Sequence, residues 1–230
     1  ASLGCDTTAN CTHNRKFMFA PDVLLVNGTY VLLLGSGDRE KPRQYANPVA
    51  NYFFMLKDRP ADSTWLSTES GACGSALICL SSLAPITTSA NPSQADLDAK
   101  KGWYLGLRAN EQVVTSAITI FGAVTFNTHQ PRQPEPGVCS SNLGTARVYN
   151  VLSSTASSTN GTPDRSDELP GAIGLPPSPV AGVVTLDDGE TVPFCIGCGA
   201  ESPLEGSEPE VPPNSAPSQP KSRVYWYIQR

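Results

Sequence analysis

Short apolar runs separated by turn residues dominate the chain. The clearest set lies between Gly28 and Leu56: an apolar strand at Tyr30 to Leu34, a Gly-Ser-Gly turn, the charged loop Asp38-Arg39-Glu40-Lys41-Pro42, and a second strand at Tyr52 to Leu56. Both runs are too short, and too β-branched or aromatic, to read as helix. Just upstream, Val23 to Val26 runs into Asn27-Gly28, a dipeptide that accepts the two positive φ angles of a type I′ hairpin turn. The pattern predicts a hairpin, a loop and a further strand.

The strongest alternation in the chain falls within Gln112 to Thr128, where TSAITI and AVTFNT flank Phe121-Gly122. It predicts a hairpin with one buried face. Further strands are predicted at Ser63 to Ser67, Ala76 to Leu80, Trp103 to Leu107, Ala146 to Leu152 and Arg223 to Gln229, with a hairpin over Val180 to Cys195 turning at Asp188-Gly189. One short helix is predicted, capped by Asn91, opened by Pro92 and closed by Gly102. Its apolar stripe is thin, which makes it a connector. Residues 129–145 and 153–179 read as long surface loops, and 199–222, rich in Pro, Ser and Glu, as a linker.

Two segments overlay. YVLLLGSG then NYFFMLKD, and AVTFNTHQ then ARVYNVLS, each give a strand, a polar loop and a strand. Such repeats suit a four-stranded propeller blade of about 40 to 50 residues. The fold class expected is all-β: a partial β-propeller of four-stranded, blade-like repeats with long loops and disulfides.

Composition narrows the function. Only 16% of the 230 residues are charged, beside 21 prolines and 19 glycines, so turns outnumber salt-bridged helices. A net charge of -5 offers no basic field, and no nucleic acid partner is expected. No apolar run approaches the roughly 18 residues of a membrane-spanning helix, so no transmembrane segment is predicted. The start, Ala1-Ser2-Leu3, has neither an initiator Met nor the charged region of a signal peptide, and a fragment or processed form is expected.

Seven cysteines in so helix-poor a chain indicate an oxidising compartment. Cys5 with Cys11, and Cys73 with Cys79, can each close a small loop. Cys139, Cys195 and Cys198 remain, so one thiol is left free or pairs outside the chain.

Candidate chemistry is sparse. Gly35-x-Gly37 follows a strand, yet Glu40 stands where a dinucleotide loop needs its third glycine, so the reading is a tight turn and a loop in which Asp38 and Arg39 pair with neighbours. Cys195-x-x-Cys198 has redox spacing but ends a strand and does not open a helix. No close second cysteine pair supports zinc. With two histidines, His13 and His129, and no nucleophile elbow, no triad is found, and His129 is expected to hold a loop end by hydrogen bonding. Asp164, Asp167 and Glu168 are a weak candidate for a hard cation. Trp65, Trp103 and Trp226 read as core or edge packing, with an adhesive surface patch as the alternative.

GSGDREKP, NYFFMLKD, GWYLGL, VTFNTHQP, SSNLGTARVYNV, VTLDDGETVPFCIG and RVYWYIQ together, in this order, resemble the C-terminal part of PilC/PilY-type proteins, the tip-associated adhesins of bacterial type IV pili. The resemblance implies a large secreted protein that helps pili extend against retraction and contributes to surface attachment. It implies minor pilins of the tip complex and a host or abiotic surface as partners, and an extracellular site reached through the periplasm. It also implies a calcium loop, which no acidic run of this chain matches and which is expected upstream. Under the same resemblance Cys139 pairs with Cys195 and leaves Cys198 odd, with Cys195–Cys198 as the competing bridge.

The division expected is then a C-terminal portion of a propeller over 1–198, a linker over 199–222, and a terminal strand over 223–230 that closes the sheet. No catalysis is expected. Binding is expected from Asp38, Arg39, Glu40 and Lys41 and from the two long loops. Two rivals stand beside this reading: a structural piece that docks minor pilins without an external ligand, and a propeller enzyme of quinoprotein type.

Overall fold

A computed structural model describes residues 1–5, 11, 14–42, 49–69, 74, 76–87, 92–133, 136–137, 143–159, 163–170, 174–187, 189, 191–199 and 206–207. In chain order its strands are β1 (Asp22–Val26), β2 (Thr29–Gly35), β3 (Tyr52–Asp58), β4 (Ala84–Ile86), β5 (Gly102–Gly106), β6 (Gln112–Val113), β7 (Ile118–Ile120), β8 (Ala123–Gln130), β9 (Thr145–Leu152), β10 (Ser166–Glu168), β11 (Val180–Thr185), β12 (Thr191–Ile196) and β13 (Gly206–Ser207). A single short helix, α1 (Gln94–Ala99), precedes β5.

The strands form three open sheets. Sheet A runs β1-β2-β3-β5-β4, sheet B runs β10-β9-β8-β6 with β7 also on β8, and sheet C runs β11-β12-β13. All pairings are antiparallel except β4 with β5. The fold is thus all-β, and the propeller arrangement expected from the sequence is not displayed among the described residues.

The two overlaid segments are the central pairs of sheets A and B, β2 with β3 and β8 with β9. Each is entered by a hairpin whose two turn residues have positive φ: Asn27 at 49° and Gly28 at 74°, Phe121 at 49° and Gly122 at 85°. That is the combination a right-twisted two-residue hairpin requires.

The sheets meet through one core in which Leu33, Phe53, Met55 and Trp103 of sheet A pack with Val124, Phe126, Tyr149 and Val151 of sheet B. Phe53 stacks on Phe126 at 3.8 Å between ring centroids, and Phe126 on Tyr149 at 4.8 Å. Burying such a ring contributes about 1.5 to 3 kcal/mol, and the Phe53–Phe126 contact carries the stack from sheet A to sheet B. The far face of sheet A carries a second core, where Phe54 and Leu56 meet Leu3, Ile78 and Leu83.

Several expectations are corrected. The strands expected at 63–67 and 76–80 are absent: 63–67 form turns, and 76–79 are irregular and lead into a 3-10 turn at Leu80–Ser82. The helix cap is Ser93, whose hydroxyl accepts from the Asp96 N–H, and Leu97 of this connector is buried in the core. β8 is buried on both faces, not one, with only Gln130 half-buried. The loop expected over 153–179 contains β10, with Ala156, Arg165 and Leu169 buried. Within the expected linker, Gly206–Ser207 pair with Cys195–Ile196, while the terminal segment 223–230 lies outside the described residues.

Candidate functional site: the 38–41 loop and the polar core beside it

The loop after β2 is anchored by its first residues. Ser36 and Gly37 are buried, and a Cβ at Gly35 or Gly37 would run into Val113. The glycines are therefore demanded by the close approach of β6 to the end of β2, and neither has the positive φ of the tight turn expected from the sequence. Ser36 Oγ donates to Asn51 Oδ1 at 3.0 Å, and Asn51 Nδ2 donates to the Glu111 carbonyl at 3.2 Å. The Val113 N–H closes on the Ser36 carbonyl at 3.0 Å. These bonds tie both sheets to the root of the loop.

The charged residues leave this root in different states. The Asp38 N–H donates to Gln112 Oε1 at 2.7 Å, and its carboxylate pairs with Lys16 at 2.8 Å. That hydrogen bond with Asp38 raises the Lys16 pKa above its ordinary value. The Arg39 guanidinium lies over the Phe19 ring at 5.8 Å. Glu40 reaches Lys16 at 3.5 Å and is exposed, as is Lys41. The four predicted loop residues are thus brought together, with Asp38 serving the fold and Glu40 and Lys41 facing solvent. A shallow cleft beside them is lined by Asn14, Lys16, Gly37, Asp38, Lys41 and Asn51.

Beside this root sits a buried carboxylate that sequence reasoning missed. The Glu111 side chain is fully buried and accepts from Thr128 Oγ1 at 2.6 Å, from Tyr149 OH at 3.0 Å and from the Arg108 N–H at 2.9 Å, with Arg108 Nη1 at 3.5 Å. Arg108 Nη1 also donates to Tyr149 OH at 2.8 Å and to Ser166 Oγ at 3.1 Å. Burial, reinforced by the Glu111 charge, pushes the Tyr149 hydroxyl pKa far up. A carboxylate that accepts from three donors, beside a phenol whose pKa is raised, ties the 108–111 turn to β8 and β9. In the sequence Glu111 sits between Asn110 and Gln112, and nothing there marks it as buried.

The acidic trio does not converge. Asp167 and Glu168 are consecutive on β10 and so face opposite sides, and Glu168 pairs with Arg147 at 3.5 Å. Among the described residues no three His, Cys, Asp or Glu side chains come together as a metal site. His129 is buried, with Nε2 against the Leu143 carbonyl at 2.6 Å, so it pins the end of the 129–145 loop as its position suggested.

The cysteines correct the pairing implied by the resemblance. Cys195 bridges Cys198, not Cys139, across a Cα separation of 5.7 Å that a disulfide spans without backbone movement. Cys5 bridges Cys11. Cys79 is also disulfide-bonded, and Cys73 and Cys139 lie outside the described residues. The Cys195–Cys198 turn sits on the far face of sheet B, where Asn127 Nδ2 donates to the Pro177 and Gly197 carbonyls and Asn150 Nδ2 to that of Cys198 at 2.8 Å. Trp103 is core, and Trp65 is capped by Arg59 at 4.4 Å and Lys101 at 3.7 Å, so neither forms an open aromatic patch.

Among solved structures the fold is similar to the crystal structure of the Pseudomonas aeruginosa PilY1 C-terminal domain, with a TM-score of 0.54 and 15% sequence identity over 89% of this chain and 47% of that one. The likeness is one of fold, and this chain spans about half the length of that solved chain. No family model matches the sequence, and no curated protein matches it.

Proposed function

We propose that this chain is part of a secreted, non-catalytic component of the type IV pilus tip and biogenesis machinery, contributing to pilus extension and surface adhesion. The observation that carries the reading is the shared fold with the PilY1 C-terminal domain over nearly the whole chain, which joins the motif order noted in the sequence. In this reading sheets A and B are two blades of a propeller packed face to face, and the rest of the ring belongs to a longer protein. Calcium, if the longer protein holds it, binds upstream. The bridges Cys5–Cys11 and Cys195–Cys198 accord with a route through the periplasm to the pilus tip or cell surface. Minor pilins and a host or abiotic surface are the partners. Arg39, Glu40 and Lys41, held on a root that both sheets brace, supply contact chemistry, together with the 129–145 and 153–179 loops.

The test is made in the bacterium that produces the protein. Deleting the segment 1–230 is expected to lower both surface pili and attachment, and disabling retraction is expected to restore pili but not attachment. Unchanged piliation and attachment would reject the reading. Replacing Arg39, Glu40 and Lys41 together by Ala is expected to keep pili and reduce attachment, and full attachment would make the loop scaffold only.

A further inference from the structure

The ring of His129 is 1% exposed and sits in a seat shaped by its neighbours. The Gly144 backbone, at φ 97°, passes so close that a Cβ there would stand 2.8 Å from Nε2 and run into the Gln130 carbonyl. Nε2 itself lies 2.6 Å from the Leu143 carbonyl. A carbonyl only accepts, so the proton of the neutral ring is on Nε2 and Nδ1 carries a bare lone pair. That Nδ1 is buried and has no hydrogen-bond partner among the described residues.

The charged groups on the elements around the ring are turned elsewhere. Its register neighbours are Gln112 on β6 and Ala146 on β9, and Asn127 precedes it on the same face of β8. Glu111 is bonded to Thr128 and Tyr149 on the opposite face of sheet B, where Arg147, opposite Thr128, also lies. Asp38, whose N–H donates to Gln112, is paired with Lys16. Arg132 in the loop, Asp167 on β10 and Asp187 beyond β11 are exposed.

We infer that His129 is an acid-operated latch: a second proton, taken at Nδ1, releases the Leu143–Gly144 end of the loop that follows β8 and leaves the β8–β9 ladder closed. The protonated ring would carry a charge and a second N–H without an acceptor at a buried site, which is costly. Reaching water by giving up one hydrogen bond at Leu143 costs less than shifting β8, which is held to β9 by eight register pairs. Burial keeps the ring neutral below the pH at which a free histidine protonates, so the latch is shut at neutral pH. Below about pH 6.5 the open form gains up to about tenfold for each pH unit, until the latched ring itself protonates. The inference is independent of the pilus reading.

Heteronuclear NMR of the 230-residue chain, titrated from about pH 7.5 to about pH 4.5, tests it. At the neutral end the ring nitrogen shifts are expected to report the Nε2–H tautomer. On acidification the ring is expected to gain its second proton, and the backbone signals of Leu143 and Gly144 to move toward random-coil positions at the same midpoint. Phe126, Asn127, Val148 and Tyr149 are expected to stay in place. His129→Gln, whose amide can donate to Leu143 without titrating, is expected to abolish the movement of Leu143 and Gly144. The latch is overturned by an Nδ1–H tautomer, by a ring that titrates while Leu143 and Gly144 stay fixed, or by a ring that remains neutral throughout. Equal movement in His129→Gln overturns it too, as does movement of β8 and β9 together with the loop. If the variant does not fold, the parent chain decides: one midpoint shared by ring and loop supports the latch, and separate midpoints overturn it.

Discussion

Sheets A and B are built on one plan, five strands with a positive-φ hairpin running into a long central pair, and they differ in what covers their outer faces. On sheet A the cover is apolar: Phe54 and Leu56 are sealed by Leu3, Ile78 and Leu83. On sheet B it is polar along β8: Thr125, Asn127 and His129 alternate with Val124, Phe126 and Thr128, and Asn127 and Asn150 grip the carbonyls of the disulfide turn. The lesson is that alternation on a strand does not by itself mean core against water. Here it separates an apolar interface from a hydrogen-bonded one, and both are dry.

The largest expected effect tests whether the two sheets are one unit. Phe126→Ala removes the middle ring of the stack joining Phe53 to Tyr149 and is expected to cost about 3 to 5 kcal/mol in urea unfolding. One cooperative transition is expected, and two separated transitions would show that the sheets stand alone. Next, Glu111→Ala leaves the Thr128 and Tyr149 hydroxyls without their acceptor while the partly exposed Arg108 relaxes into water, for a loss of about 2 to 3 kcal/mol. The tyrosine titration monitored by absorbance should then show Tyr149 ionising at lower pH than before.

Asn127→Ala strands two carbonyls of the polar face and is expected to cost about 1 to 2 kcal/mol. Hydrogen exchange should quicken in β11 and β12 and stay unchanged in sheet A. Acid probes the same face. Burial lowers the pKa of His129, so between the ordinary histidine value of about 6.5 and the lower folded value the unfolded chain binds the extra proton. This contribution to stability is complete above that window and falls as pH falls, by at most about 1.4 kcal/mol per pH unit. Unfolding midpoints measured at pH 5 and pH 7 should differ less in His129→Gln than in the parent. The smallest effect is a gain. Phe121 occupies, at φ 49°, the turn position that Asn27 fills in sheet A, and Phe121→Asn is expected to raise stability by up to about 1 kcal/mol, read as a higher urea midpoint.

Local rules made much of this fold legible. Asn27-Gly28, the apolar runs around it and the AVTFNT alternation placed both hairpins and the repeat between the sheets. What stayed hidden depends on contacts far apart in the chain. Glu111 looks like a loop charge until Thr128 and Tyr149 close over it from strands 17 and 38 residues away. Gly35 and Gly37 look like a turn until Val113 arrives against them. β10 was lost in a Ser- and Thr-rich stretch because it is held by backbone pairing to β9, which composition does not report. Of the loop at 38–41, its existence was readable and its division into one structural and two exposed charges was not, since Lys16 lies 22 residues upstream of Asp38.

The bridge between Cys195 and Cys198 also sets how the chain responds to mechanical tension. Its sulfurs join residues three apart, and those of Cys5 and Cys11 residues six apart, so between them they shorten a stretched chain by only a few residues' length. Neither bridge arrests extension once the sheets part. Beyond what the Cys79 bridge holds, resistance to a pulling force rests on strand ladders, above all the eight register pairs from Ala123–Leu152 to Gln130–Thr145, which resist best when load runs along the strands and breaks every bond at once. The direction in which this molecule is pulled decides how much force it survives.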